Sequence, residues 1–233
     1  LITALEAKSS AAEAYRQLRT SVLLSSAGHP SKLLLVTSSQ PREGKTTTAG
    51  NTAISLAQTG ASGLIVDCDM RKPRVHQLLN ASNHVGVSLY LSGQNEDLSV
   101  LIQPHQIPNL SVLPCGPIPP NPAELLGSEQ MRKLLGRLVE QFDHIVIDTP
   151  PVVSFADPVI LSTMVDGVIL VVRGGFSSRG IVLRSRQILS DVGAKIYGVV
   201  LNDADMKASD SYYYYSSYYG SYYGKDEGAG AND

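Results

Sequence analysis

One stretch carries the clearest chemistry in the chain: Thr37-Ser38-Ser39-Gln40-Pro41-Arg42-Glu43-Gly44-Lys45-Thr46-Thr47. It follows the apolar run Leu33-Leu34-Leu35-Val36 and precedes a helical pattern from Ala49 to Gln58. Strand, tight loop, Gly-Lys-Thr and helix form the setting of a phosphate-binding loop. Backbone N–H groups around Glu43, Gly44 and Thr47, with the helix N-terminus, would face an anionic phosphate. Lys45 would reach the β- and γ-phosphates of a nucleotide, and the Thr46 hydroxyl would be a magnesium ligand. The first glycine of G-x-x-x-x-G-K-[ST] is missing, because Ser39 stands in its place.

Carboxylates supply the rest of the constellation. Gly63-Leu64-Ile65-Val66-Asp67 reads as a buried strand running into Cys68-Asp69-Met70-Arg71-Lys72-Pro73. Alternation places Asp67 and Asp69 on one side if the extended conformation continues through Cys68. A further strand, His144-Ile145-Val146-Ile147, delivers Asp148 ahead of Thr149-Pro150-Pro151. Carboxylates at strand carboxyl ends lie where α/β sheets bind ligands. Magnesium needs few of them, since phosphate and water fill its remaining positions. A polar loop after a strand is the plainer account of any one of these aspartates. Three aspartates so placed, beside Lys45 and Thr46, make a nucleotide–magnesium site. Asn202 ends the last strand, Lys195 to Asn202, where its amide could read an adenine edge or cap the next turn.

The elements that must hold these residues alternate between strand and helix. A helix is expected over Ser10 to Leu24, with Glu13, Arg16 and Arg19 within about 120° of one face. Taken alone, that face is a solvated one with a Glu13–Arg16 pair. Short helices are expected near His76–Leu79 and Gly86–Gly93, and a strand at Leu110–Pro114. One long amphipathic helix is expected from Ala123 to Gln141, with Leu126, Met131, Leu134, Leu135 and Leu138 as its stripe. Helices at Asp157–Met164 and Gly180–Ser190 flank a strand at Gly167–Val172. The pattern predicts an α/β fold, a mainly parallel sheet with helices on both faces.

Net charge is −2 over 233 residues, so no basic field argues for a nucleic-acid partner. Two cysteines, Cys68 and Cys115, give neither a disulfide framework nor a four-cysteine metal site, and fit a reducing cytoplasm. No apolar run approaches the ~20 residues of a membrane span. Leu1 in place of Met reads as a trimmed or excised domain, leaving open a membrane segment upstream. The domain itself is expected over 1–206, followed by a flexible tail over 207–233. Eight of the chain's 11 tyrosines fall in that tail: Tyr212, Tyr213, Tyr214, Tyr215, Tyr218, Tyr219, Tyr222 and Tyr223. Only Ser and Gly separate them, which cannot build a core. Sparing Phe and Trp points to the hydroxyl as the useful group, because a phenol can accept a phosphoryl group.

These motifs, in this order, resemble the bacterial tyrosine kinases of capsular and exopolysaccharide export. Glu13-x-x-Arg16-x-x-Arg19 is similar to the family's oligomerisation motif, and Gly44-Lys45-Thr46 to its Walker A core. Val66 to Pro73 resembles Walker A′, Ile145 to Pro151 Walker B, and Tyr212–Tyr223 the C-terminal cluster. The resemblance implies a P-loop NTPase fold of the deviant-Walker type and ATP-dependent, magnesium-dependent phosphorylation of tail tyrosines on a neighbouring copy. It gives Lys45, Asp67 and Asp69 catalytic roles, Asp69 accepting the tyrosyl proton, with Thr46, Asp67 and Asp148 holding the metal directly or through water. Arg71 and Lys72 would position substrate or phosphate, or form a salt-bridged turn. Implied partners are a second copy in a head-to-tail ring, an octamer in the family, and a tyrosine phosphatase. A polysaccharide co-polymerase is also implied, fused or separate, placing the domain at the inner face of the cell membrane. Arg42 replaces a glycine the family commonly has, and adds strain if the loop needs positive φ there. A partitioning or positioning ATPase is a rival, disfavoured because Gln40 stands where its signature lysine belongs. An ATP sensor without phosphotransfer is the other.

Overall fold

Six apolar and small residues in a row, Leu33–Ser38, are all buried, the pattern of a strand covered on both faces. The computed structural model describes residues 1, 3, 9–25 and 31–204. The tyrosine cluster 212–223 and the 206/207 boundary lie outside them.

Strands β1 (Leu33–Ser38), β2 (Gly63–Asp67), β3 (Gln103–Pro104), β4 (Leu110–Leu113), β5 (His144–Asp148), β6 (Gly167–Arg173) and β7 (Ile196–Asn202) form one sheet. Their order is β3-β4-β2-β5-β1-β6-β7. Every pairing is parallel except β3 with β4. The α/β expectation therefore holds, with a short antiparallel edge that the sequence did not announce.

Alternation divides the core. Leu33, Leu35, Leu64, Val66, Ile145 and Ile147 face one layer, built on Leu134 and Leu138 of helix α7 (Glu129–Gln141). Leu34, Val36, Ile65, Val146 and Ile169 face the other, with Ala49, Ala53 and Ile54 of α2 (Lys45–Ala57). Helix α1 (Ser10–Leu24) lies outside α2, its start capped by the Ser9 hydroxyl and Val22 buried. Arg19 Nη1 donates to the Ser55 carbonyl at 2.8 Å, so one member of the charged face ties α1 to α2.

The middle of the chain holds α3 (Val75–Leu78), α4 (Val87–Leu91), α5 (Leu98–Leu101) and α6 (Pro122–Leu126). The long helix expected from Ala123 is two, because the chain breaks at Gly127 and Ser128 starts α7 by accepting from Met131 N–H. Leu126, Met131, Leu134, Leu135 and Leu138 are nonetheless all buried, as the stripe required. Helices α8 (Asp157–Ser162) and α9 (Arg179–Asp191) complete the chain up to β7.

Candidate active site

Strand β1 sits between β5 and β6, while the chain passes through α2 to β2 on the far side of β5. The carboxyl ends of β1, β2 and β5 therefore open into one crevice at the switch in strand order. Parallel register places Asp67 directly beside Asp148 and Asp148 beside Val36. Residues 39–44 leave β1 there and turn into α2, whose first residue is Lys45.

Lys45 is the hub. Its Nζ lies 2.7 Å from Asp69 Oδ2 and 3.7 Å from Asp148 Oδ1. The Thr46 hydroxyl donates to Asp148 Oδ2 at 2.7 Å and lies 3.3 Å from the amine. Burial pulls the Lys45 value down, but Asp148, Asp69 and Asp67 together raise it, so the amine stays charged. Asp148 Oδ1 is buried and has no hydrogen-bond partner. An orphaned anionic oxygen beside Lys45 and Thr46 suits a group that brings positive charge or a polarised water. Among the described residues no three His, Cys, Asp or Glu side chains could hold an ion by themselves. Magnesium does not need such a cage when phosphate oxygens complete its shell.

Asp67 does different work from its neighbour. Its Oδ1 accepts from the Asp69 N–H, and its Oδ2 accepts from the N–H groups of Arg74 and Val75. It therefore shapes the turn that carries Asp69, whose own Oδ1 accepts from the Lys72 N–H at 3.0 Å. Arg71 makes the salt-bridged turn: Nε and Nη2 reach both Asp157 oxygens at 2.8 and 2.9 Å. Asp157 is fully buried at the start of α8. Neither Asp157 nor its role had a signal in the sequence beyond a helix start.

The phosphate loop needs the backbone that the sequence left in question. Arg42 has φ 69° and Gly44 φ 92°, both left-handed. A side chain in that region costs about 1–2 kcal/mol, so Arg42 is strained as anticipated for a glycine position. Ser39, in place of the motif's first glycine, is buried with its hydroxyl unpartnered. Thr47 is exposed on the first turn of α2. Glu43 turns its side chain inward, and Asn202 donates Nδ2 to the Glu43 carbonyl at 3.0 Å. The amide of Asn202 thus meets the loop itself. On α1, Glu13 and Arg16 form an ion pair one turn apart.

Packing carboxylates this densely has a pH signature. Burial first, then the Asp148 charge, pushes Asp67 up to about 8, against the pull of the Val75 N–H. Burial likewise raises Asp148 to about 6, while Lys45 and the Thr46 hydroxyl oppose it. An acid raised on folding holds its proton better in the native state, so the unfolded chain ionises first as pH rises. The unliganded protein is therefore expected to lose stability, by a few kcal/mol, from near pH 4 through the Asp148 value toward that of Asp67. Thermal melts across pH 5 to 8 check this, with Asp148→Asn expected to flatten the slope. Stability rising over that interval would contradict it.

With the geometry in place, comparison with known proteins is direct. The AAA domain family model matches residues 35–192. The tyrosine-protein kinase YwqD of Bacillus subtilis is 35% identical over 217 residues, covering 93% of this chain and 91% of YwqD. The crystal structure of the chimerical protein CapA2B2 superposes with a TM-score of 0.84 at 35% identity, covering 87% of this chain and 89% of that one. The kinase domain of Escherichia coli tyrosine kinase ETK gives 0.85 at 33% identity, covering 89% and 81%. Sequence, fold and crevice agree: the chain belongs to the bacterial tyrosine-protein kinases and is a protein-tyrosine kinase of the P-loop NTPase fold.

Proposed function

We propose that this kinase transfers the γ-phosphoryl group of ATP, with magnesium, to tyrosines of the 212–223 cluster on a neighbouring copy. The observation that carries this is the Lys45 amine held beside Asp69, Asp148 and Thr46 at the carboxyl end of the sheet. Phosphoryl transfer has a loose transition state, so positioning and charge neutralisation outweigh a strong base. Lys45 would exchange part of its hold on Asp69 for phosphate oxygens. Thr46, Asp148 and Asp67 would hold the metal, directly or through water, and the ion would neutralise charge on the β- and γ-phosphates. Asp69, once released by Lys45, would accept the tyrosyl proton as the phenolic oxygen bonds to phosphorus and the bond to ADP breaks. Backbone N–H groups of residues 43–47 cradle the phosphates in this account, and Asn202 stands beside them.

Residues 1–206 act as the catalytic domain and 207–233 as the substrate tail. The Glu13, Arg16 and Arg19 face of α1 would contribute to a head-to-tail ring that presents each tail to the next site, an octamer as in the family. Such an interface must draw on groups that already serve within the subunit: the Glu13–Arg16 pair and the Arg19 contact with Ser55. Phosphorylation adds about −1.5 to −2 charge per tyrosine, so a heavily modified tail repels itself and loosens docking until a tyrosine phosphatase resets it. The setting we infer is the inner face of the membrane, where a polysaccharide co-polymerase activates the kinase during capsule or exopolysaccharide export.

A mixing experiment tests the central claim. One copy carries Lys45→Met and an intact tail; the other has a working site and all eight tail tyrosines changed to Phe. With ATP, magnesium and an activating segment, mass spectrometry is expected to find phosphotyrosine on the Lys45→Met copy alone. An unmodified tail in that mixture, when unmutated protein modifies its own, would rule out transfer between copies.

A further inference from the structure

The phosphate loop is not held by its own residues alone. Glu43 is fully buried, and its Oε2 accepts from the Gln40 N–H at 2.9 Å, closing the loop on itself. Its Oε1 accepts from the hydroxyl of Ser177, in the connection between β6 and α9. Ser177 Oγ in turn accepts the Arg173 N–H at 2.8 Å, which leaves its proton aimed at Glu43. Asn202, at the end of the neighbouring strand β7, donates to the Glu43 carbonyl. Its amide nitrogen lies 2.1 Å from where a Cβ on Gly44 would stand, so loop and β7 meet without spare room.

We propose that Ser177 is a positioning residue for the kinase reaction, fixing the phosphate loop through the Glu43 carboxylate, with Asn202 as the second anchor. The loop contains two departures into left-handed backbone, Arg42 and Gly44, separated only by Glu43. Relaxing Arg42 would rotate the peptide groups that follow and turn their N–H vectors away from a bound phosphate. Glu43 is the residue between them, held at its side chain by Ser177 of the connection after β6 and at its carbonyl by Asn202 of β7. Donors fixed before the ligand arrives bind an anion without a reorganisation cost. Ser177 touches neither Lys45 nor the carboxylates around it in the contacts described, so its influence passes through Glu43.

This rests on the reading of the loop as the ATP site, and the test separates the two. Ser177→Ala is compared with Ser177→Thr, which keeps the hydroxyl. Calorimetric titration with Mg-ADP is expected to show binding weakened about tenfold to a hundredfold in the alanine variant, as for a lost hydrogen bond to a charged group. The KM for ATP rises by the same factor while kcat stays within about threefold, and threonine restores both. Mg-ADP affinity unchanged in Ser177→Ala overturns the proposal, as does a loss confined to kcat or one that threonine does not rescue. Should Ser177→Ala fail to fold, Asn202→Ala removes the other anchor and carries the same expectation. If the unmutated protein does not bind Mg-ADP, the nucleotide assignment falls first and the brace with it.

Discussion

Changing Lys45 to Met is expected to lower tyrosine phosphorylation by about a thousandfold or more, the scale of removing a preorganised charge from a transition state. Two losses combine. The ammonium no longer shares the negative charge on the transferred group, and Asp69 and Asp148 lose the amine that lies 2.7 and 3.7 Å away. Without it Asp148, whose raised proton affinity the Lys45 charge now opposes, takes up a proton more readily. The variant should therefore differ from wild type in its pH profile of stability as well as in rate. Methionine preserves the length and apolar stem, so the fold at pH 5 should survive. Radiolabel transfer to the tail, alongside melts at pH 5 and pH 8, checks both parts. Phosphorylation within tenfold of wild type would remove Lys45 from the mechanism.

The second large effect lies away from the reacting atoms. Arg71→Ala is expected to destabilise the domain by about 3 kcal/mol, near the low end for breaking a buried pair. Asp157 is wholly buried, and its two oxygens are met by the Arg71 guanidinium. Removing Arg71 leaves a carboxylate in the dry interior, with only the start of α8 to favour its charge. About a third of the Arg71 side chain reaches solvent, which tempers the loss. The guanidinium also stacks over Phe155, 4.2 Å from the ring centre, so packing goes with the charge. Lysine offers a point charge without the fork, so Arg71→Lys should recover only part of the stability. Denaturant unfolding measures it, and a change below about 1 kcal/mol would show that Asp157 finds another partner. Because Arg71 stands two residues after Asp69, activity should fall with it.

How much of this was legible beforehand depends on how far apart the partners are in the chain. Asp67 and Asp148 could be placed at strand ends because buried parallel strands read as unbroken apolar runs, and their side-by-side register follows once both strands exist. The strain at Arg42 was legible because a left-handed loop position has few tolerated residues. The break at Gly127–Ser128 was not, because apolar spacing continues across it and hides a new cap. Helix α5 and strand β3 were too short for any period to develop. The Ser177–Glu43 and Asn202–Glu43 contacts span 134 and 159 residues, and the Arg71–Asp157 pair 86. Nothing local marks Ser177 or Asp157 as the partners of Glu43 and Arg71, since those pairings come only from the folding of distant segments to one edge.

Asn202 on the phosphate loop also sets a length scale. The chain leaves β7 beside Glu43 and is described as far as Ala204, so the residues that follow start close to the phosphate loop. Tyr212 follows eight residues later and Tyr223 nineteen, contour lengths of at most about 29 and 68 Å. Under the proposed transfer between copies, each tyrosine of the 212–223 cluster would be a tethered substrate, held near its own or a neighbour's site at an effective concentration on the order of millimolar. The rate of tail phosphorylation should then ignore dilution until the subunits part, and fall steeply at that point.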